Sequence, residues 1–192
     1  MQELKERIAK EANILPGSII KLDGFLNHRI DTVLMEKIAD EFGSHFNMDE
    51  VTLILTAEAS GIALSSIVAN RFKKPMLFAK KAKSDNIEGG LYKSDIFSYT
   101  YKKKVTLLVS KEWLTADDKV LIIDDFMANG EAMRGLCNIV AAAGATLVGI
   151  GCAVEKGFQG GGDRLRAEGI NVKTLAIIES AEAGNIVFRE DT

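Results

Sequence analysis

The sequence predicts an α/β fold, a largely parallel central sheet with helices on both faces, and three observations lead there. Short apolar, β-branched runs alternate along the chain with segments of helical periodicity, the pattern of crossover connections between parallel strands. A composition of 47% hydrophobic and 27% charged residues in a chain of 192 is that of a globular protein able to bury a real core. Finally, one apolar run leads into two adjacent carboxylates and a polar turn that feeds a helix. Parallel sheets bind ligands at such junctions.

The elements follow in order. Residues 2–11 read as a short helix, ended near Pro16-Gly17. Asp31 can cap a helix running to about Phe46, with Leu34, Met35, Ile38, Phe42 and Phe46 along one side. Val51-Thr52-Leu53-Ile54-Leu55-Thr56 is a strand buried on both faces. Ser60-Gly61 opens a helix that stops before Lys73-Lys74-Pro75, and Met76-Leu77-Phe78-Ala79 is the next strand. A long polar stretch, residues 80–104, follows. Stretches of this length are functional lids or disordered segments, and Tyr99, Thr100 and Tyr101 suggest some hairpin strand within it. Val105 to Val109 is the return strand. Then come a strand at Val120-Leu121-Ile122-Ile123, a helix from about Gly130 to Ala143, and a strand from Leu147 to Val154. Gly160-Gly161-Gly162 marks a loop, residues 163–168 a short helix, and Val172 to Ile178 a late strand with residues 185–188 as a possible partner. No repeat or linker divides the chain, so one domain spanning residues 1–192 is expected.

Composition narrows the function classes. Cys137 and Cys152 sit in apolar stretches, which disfavours a disulfide framework and suits a reducing, cytoplasmic compartment. Trp113 lies in a connector, where packing is the default role. No apolar run reaches the ~18–20 residues of a membrane span, and the mixed-charge N-terminus lacks the apolar core of a signal peptide. His28 and His45 are the only histidines, without ligand spacing, so no protein-built metal site is expected. A net charge of −3 argues against general nucleic-acid binding. Residues 71–104, however, carry ten basic and three acidic residues. Such a segment either faces solvent or draws a polyanionic small ligand toward one cleft.

The chemistry concentrates at Val120-Leu121-Ile122-Ile123-Asp124-Asp125-Phe126-Met127-Ala128-Asn129-Gly130-Glu131-Ala132. The helix N-terminus beyond the turn presents unpaired N–H groups and partial positive charge, which suit a phosphate monoester. Asp124 and Asp125 cannot hold that phosphate, but they can accept hydrogen bonds from sugar hydroxyls or help hold Mg²⁺ through water. Diol-binding acids followed by a phosphate cradle specify a ribose 5-phosphate. The competing interpretations are a phospho-accepting receiver site, where such acids lie near the N-terminus, and a plain turn with a helix cap. A Walker-type phosphate loop is absent.

This stretch resembles the 5-phosphoribosyl 1-diphosphate (PRPP) signature of the type I phosphoribosyltransferases, with Asn129 where that family usually has threonine. Lys21-Leu22-Asp23-Gly24-Phe25-Leu26-Asn27-His28, Glu58-Ala59-Ser60-Gly61-Ile62 and Val154-Glu155-Lys156-Gly157-Phe158-Gln159 resemble the purine branch, and among it the bacterial members that take xanthine. The resemblance implies the type I fold with a small base-recognition hood, built from the N-terminal segment and the region after residue 154. It implies phosphoribosyl transfer to xanthine with release of pyrophosphate, a Mg²⁺ bound with PRPP, and a homodimer, with no nucleic-acid or membrane partner. By the same resemblance Asp124 and Asp125 hold the ribose hydroxyls, and Ala128, Asn129, Gly130, Glu131 and Ala132 bind the 5-phosphate. Glu58, Ala59, Ser60 and Gly61 receive the pyrophosphate, with Lys80, Lys81 and Lys83 neutralising it. Ile20, Asn27, Lys156 and Phe158 hold the base, Lys156 donating to the C6 oxygen and Phe158 stacking. Residues 80–104 are the candidate lid over the reaction. The alternatives are the same chemistry on hypoxanthine or guanine, and a PRPP-sensing regulator that binds nucleic acid.

Overall fold

The computed structural model describes residues 1–81, 90–98, 103–182 and 185–190. Its centre is a six-stranded sheet built from β3 (Leu53–Ala57), β4 (Met76–Ala79), β7 (Lys119–Met127), β8 (Thr146–Lys156), β9 (Val172–Glu182) and β10 (Asn185–Phe188), in the order β10-β9-β8-β7-β3-β4. β4, β3, β7, β8 and β9 run parallel, and β10 returns antiparallel beside β9. The expected α/β architecture is therefore the one observed. β3 is buried at every position, as its unbroken apolar run requires of a strand covered on both faces.

Helices divide between the two faces. α1 (Gln2–Glu11), α2 (Thr32–His45) and α3 (Gly61–Phe72) cover one, where Leu4, Ile8, Phe25, Met35, Phe42 and Leu64 pack with Ile54, Leu121 and Ile123. α4 (Glu131–Ala142) and α5 (Gly161–Ala167) cover the other, where Met133, Leu136, Ile139 and Leu165 meet Leu55, Val120, Ile122 and Cys152. Alternate residues of β7 thus feed opposite cores, as the period of a strand dictates. Asp31 caps α2 as expected, its Oδ1 accepting the Leu34 N–H at 3.1 Å.

Several boundaries depart from the sequence-based expectation. α1 stops at Glu11, and a short hairpin of β1 (Asn13–Leu15) and β2 (Ile19–Lys21) surrounds the Pro16-Gly17 turn. A π-helical turn, Asp23–Asn27, follows. β7 does not end at Ile123: it continues through both aspartates to Met127, because Asp124, Phe126 and Met127 pair with Cys152, Val154 and Glu155 of β8. β8 likewise runs on to Lys156. Of the three glycines expected in a loop, Gly161 and Gly162 already belong to α5, after a 3-10 turn at Gly157–Gln159. Trp113 is 63% exposed, so packing is not its role within this chain. The polar stretch after β4 contains β5 (Leu91–Ser98), which pairs antiparallel with β6 (Lys103–Ser110). This hairpin packs on α4 and is tied to the end of β4 by a bridge between Lys80 and Leu108. Lys83, Tyr99, Thr100 and Tyr101 lie outside the described residues.

Candidate active site

Strand order places the site. After β3 the chain steps outward to β4, then returns to the other side of β3 and builds β7, β8 and β9 in the opposite direction. The switch point lies between β3 and β7, and crevices at the carboxyl ends of strands flanking such a point are where open α/β sheets bind ligands. A cavity of about 480 Å³ opens there, lined from β3 by Ala57, Glu58 and Ser60, and from β7 by Asp124 through Met127. The following turn, the first residues of α4, Lys81 and Lys156 also line that edge, Ile19, Ile20 and Asn27 line the side of the N-terminal segment, and Ile96, Phe97 and Val105 come from the β5–β6 hairpin.

The two acids are deeply held. Asp124 is 7% exposed and Asp125 1%. Asp124 Oδ1 accepts the Asp125 backbone N–H at 3.0 Å. It also faces the first residue of α3 so closely that a Cβ on Gly61 would clash with both it and Thr56 Oγ1. Burial pushes the Asp124 carboxyl well above its usual range, the neighbouring Asp125 charge adds to this, and Lys81 pulls the other way. Among the described residues, Asp125 Oδ2 and Thr56 Oγ1 are buried without a hydrogen-bond partner. Unmatched groups of this kind cost about 1–3 kcal/mol each, so a cavity lined by a buried, unpaired carboxylate oxygen is built for a hydroxyl or a cation.

Beyond the acids, Gly130 takes φ +78° and stands at the start of α4 with no side chain capping the helix. Residues 128–132 all line the cavity. A non-glycine residue at such a φ is strained, so Gly130 is what allows the strand to turn into the helix within so few residues. The amides of the uncapped first turn remain for an anion.

The second strand-to-helix junction behaves similarly. Ser60 precedes α3, yet its hydroxyl makes no capping bond, so the ordinary serine cap is not formed. The Glu58–Ala59 peptide is cis. The Glu58 carboxylate accepts the Lys81 N–H at 2.5 Å, fixing the β3 and β4 ends together. Of the residues expected here, Glu58, Ser60 and Lys81 reach the cavity. Ala59 is exposed between them, Gly61 is buried under Asp124, and Lys80 pairs through its backbone with Leu108.

Lys156 lines the cavity with Ile20 and Asn27. Its Nζ donates to the Ser18 carbonyl at 3.2 Å and stands 5.5 Å above the Phe126 ring. Burial pulls its pKa down. Phe158, expected to stack on the base, is 40% exposed on the turn after β8 and is not among the residues that line the cavity. Among the described residues, the aromatics that line it are Phe126, between Asp125 and Met127, and Phe97 of β5. Sequence reasoning gave Phe126 no role, although it stands directly after the acids. It also missed Glu155, a fully buried carboxylate that takes Arg166 Nη2 at 2.6 Å and Thr174 Oγ1 at 2.8 Å. No cluster of three metal-ligating side chains occurs among the described residues.

The phosphoribosyl transferase domain family matches residues 27–185. The chain belongs to the phosphoribosyltransferase family. It is 50% identical over 192 residues to the xanthine phosphoribosyltransferase of Bifidobacterium longum subsp. infantis, covering 98% of this chain and 100% of that one. It is 49% identical over 193 residues to the xanthine phosphoribosyltransferase of Lachnoclostridium phytofermentans, with 100% of each covered. Among solved structures, the adenine phosphoribosyltransferase of Giardia lamblia superposes with a TM-score of 0.77 at 20% identity over 93% of this chain and 98% of that one. The Saccharomyces cerevisiae adenine phosphoribosyltransferase gives 0.75 at 22% over 91% and 97%. At those identities the likeness is one of fold, the type I phosphoribosyltransferase fold.

Proposed function

We propose that this phosphoribosyltransferase transfers the 5-phosphoribosyl group of PRPP to xanthine, giving xanthosine 5-monophosphate and pyrophosphate, a purine-salvage reaction. The observation that carries the reading is a single cavity holding a buried acid pair between an uncapped helix start and a donor-only lysine. Relatives about half identical over nearly the whole chain carry the xanthine name.

In this reading the amides of residues 128–132 grip the 5-phosphate, and Asp124 and Asp125 accept hydrogen bonds from the ribose diol. The β3–α3 turn with Lys81 receives the pyrophosphate. A purine nitrogen attacks the anomeric carbon, and the carbon–oxygen bond to pyrophosphate breaks with its electron pair leaving on pyrophosphate. The purine gives up the proton on the attacking nitrogen. Holding both partners in line supplies much of the acceleration, and electrostatic stabilisation of an oxocarbenium-like transition state supplies more. The oxygen-only donors Asp124 and Asp125 fit Mg²⁺, which takes one or two carboxylates and keeps its remaining places for water and phosphate oxygens. Bound with PRPP, it would neutralise charge on the diphosphate. Lys156 and Asn27 face the xanthine carbonyls, Ile20 closes the hood, and Phe126 offers its ring to the purine. Lys156 has donors only, so it rejects the amino group of adenine. The N-terminal segment and the region after residue 154 form the hood of a single domain, with residues 80–104 as lid. The working assembly is a homodimer, and the two free, packed cysteines suit the cytoplasm.

Turnover of xanthine, guanine and hypoxanthine with PRPP and Mg²⁺ tests the assignment. Xanthine should give the highest kcat/KM; a tenfold preference for guanine or hypoxanthine would overturn it.

A further inference from the structure

The glycine run after β8 has no part in the reaction as described, yet its backbone packs directly against the turn of residues 128–130. A Cβ on Gly161 would stand 2.6 Å from both the Asn129 carbonyl carbon and the Gly130 nitrogen, and closer still to the Ala128 carbonyl oxygen. The two backbones are thus in direct contact, with no room for even a methyl group. Arg164, one turn further on, donates from Nη2 to the Asn129 carbonyl at 3.0 Å and from Nη1 to the Gln159 carbonyl at 3.3 Å. Behind this contact the segment is anchored. Gly162 sits against the fully buried Glu155 carboxylate, its Cβ position 2.5 Å from Cδ, and Arg166 and Thr174 hold that carboxylate.

We propose that Gly161 and Arg164 are positioning residues for the 5-phosphate cradle, an inference that rests on residues 128–132 being that cradle. An anion-binding turn works only if its amides face the anion and its carbonyls do not. A turn through Gly130 has wide backbone freedom, so nothing internal forbids the peptide between Asn129 and Gly130 from rotating. In a planar trans peptide the C=O and the N–H point opposite ways. With the Asn129 oxygen tied outward to the guanidinium, the Gly130 N–H is turned away from Arg164. The backbone of Gly161, seated on the same peptide, blocks rotation sterically. Neither residue touches substrate; both act through the turn.

Steady-state kinetics of the full chain test this, with PRPP and xanthine varied separately, beside thermal melts and calorimetry with ribose 5-phosphate. Arg164→Gln should raise KM for PRPP about fivefold to tenfold, the worth of one charge-assisted hydrogen bond, and leave KM for xanthine within twofold. Arg164→Lys, which keeps one donor, should fall between Gln and the parent. Gly161→Ala should raise KM for PRPP more than either Arg164 variant; if it fails to fold, the Arg164 pair decides alone. An Arg164→Gln enzyme with KM for PRPP unchanged, whatever its Tm, overturns the proposal. So does a loss confined to kcat and Tm. A parent that binds no ribose 5-phosphate overturns the cradle itself and this inference with it, whereas a binding parent with unaffected variants sinks only the inference.

Discussion

At the residue scale the site is defined by groups that are costly to the folded chain. Asp124 is held where its charge is unwelcome, with burial the main cause and Asp125 the second. Between the ordinary carboxylate pKa and this raised value, the native state keeps a proton that the unfolded chain has released, so stability falls as pH climbs through that window. Asp124→Asn removes the penalty and keeps an acceptor for the Asp125 N–H. The variant should melt above the parent at pH 7, each kcal/mol relieved being worth about 2–4 °C at this size. The gap should close below about pH 4, where the carboxyl is protonated folded or unfolded. Activity should move the other way, with kcat/KM down about 100-fold through loss of a carboxyl oxygen at the diol. A parallel drop in Tm and activity would contradict this. Lys156→Met should raise KM for xanthine about 10–100-fold and leave KM for PRPP within twofold, a split that initial-rate kinetics reads directly. The acids stood out in the sequence as charges after an apolar run, whereas Lys156 was picked out only by the family resemblance. Phe126 and Glu155 were not legible, the first because an aromatic in a strand looks like core, the second because nothing local reveals that Arg166 and Thr174 converge on it.

At the element scale, the working parts are strand ends and the elements pinned behind them. The β5–β6 hairpin seats on α4 through Gly135, where a Cβ would come 2.5 Å from Ile96 Cγ2 and 2.9 Å from Leu107 Cδ1. Gly135→Val should therefore overpack this seat and cost about 1–3 kcal/mol, seen as a lower Tm by calorimetry, with the Asp124 and Lys156 ends of the cavity unaltered. An unchanged Tm would mean that the hairpin is not seated as described. Helical periodicity made α2 and α4 legible within a residue or two, and Asp31 marked where α2 starts. The β1–β2 hairpin escaped notice because its three-residue strands are too short to show a period. The extension of β7 through Asp124 and Asp125 escaped for a different reason. Charged residues read as a strand end, whereas pairing with the longer β8 carries the strand to Met127.

At the scale of the whole molecule, the sheet keeps separate cores on its two faces and turns its carboxyl edge over to chemistry. The switch between β3 and β7 brings two strand-to-helix junctions together, which the proposed function assigns to the two anionic ends of PRPP, with Lys156 of β8 alongside. That α/β class was legible from the alternation of apolar runs and helical segments. The strand order was not, because register depends on which edges meet in three dimensions. The basic stretch of residues 71–104 places Lys81 at the cavity, while the rest of the chain carries the compensating negative charge. The central claim is that the acid pair clasps a pentose diol while the turn beyond it grips the terminal phosphate. Titration calorimetry with ribose 5-phosphate and with inorganic phosphate, on the parent and on an Asp124→Asn/Asp125→Asn variant, tests it most directly. The account predicts one ribose 5-phosphate per chain in the parent, and in the variant at least a tenfold loss of preference for the sugar phosphate over inorganic phosphate, about 1.4 kcal/mol. No binding to the parent, or an unchanged preference in the variant, would contradict it.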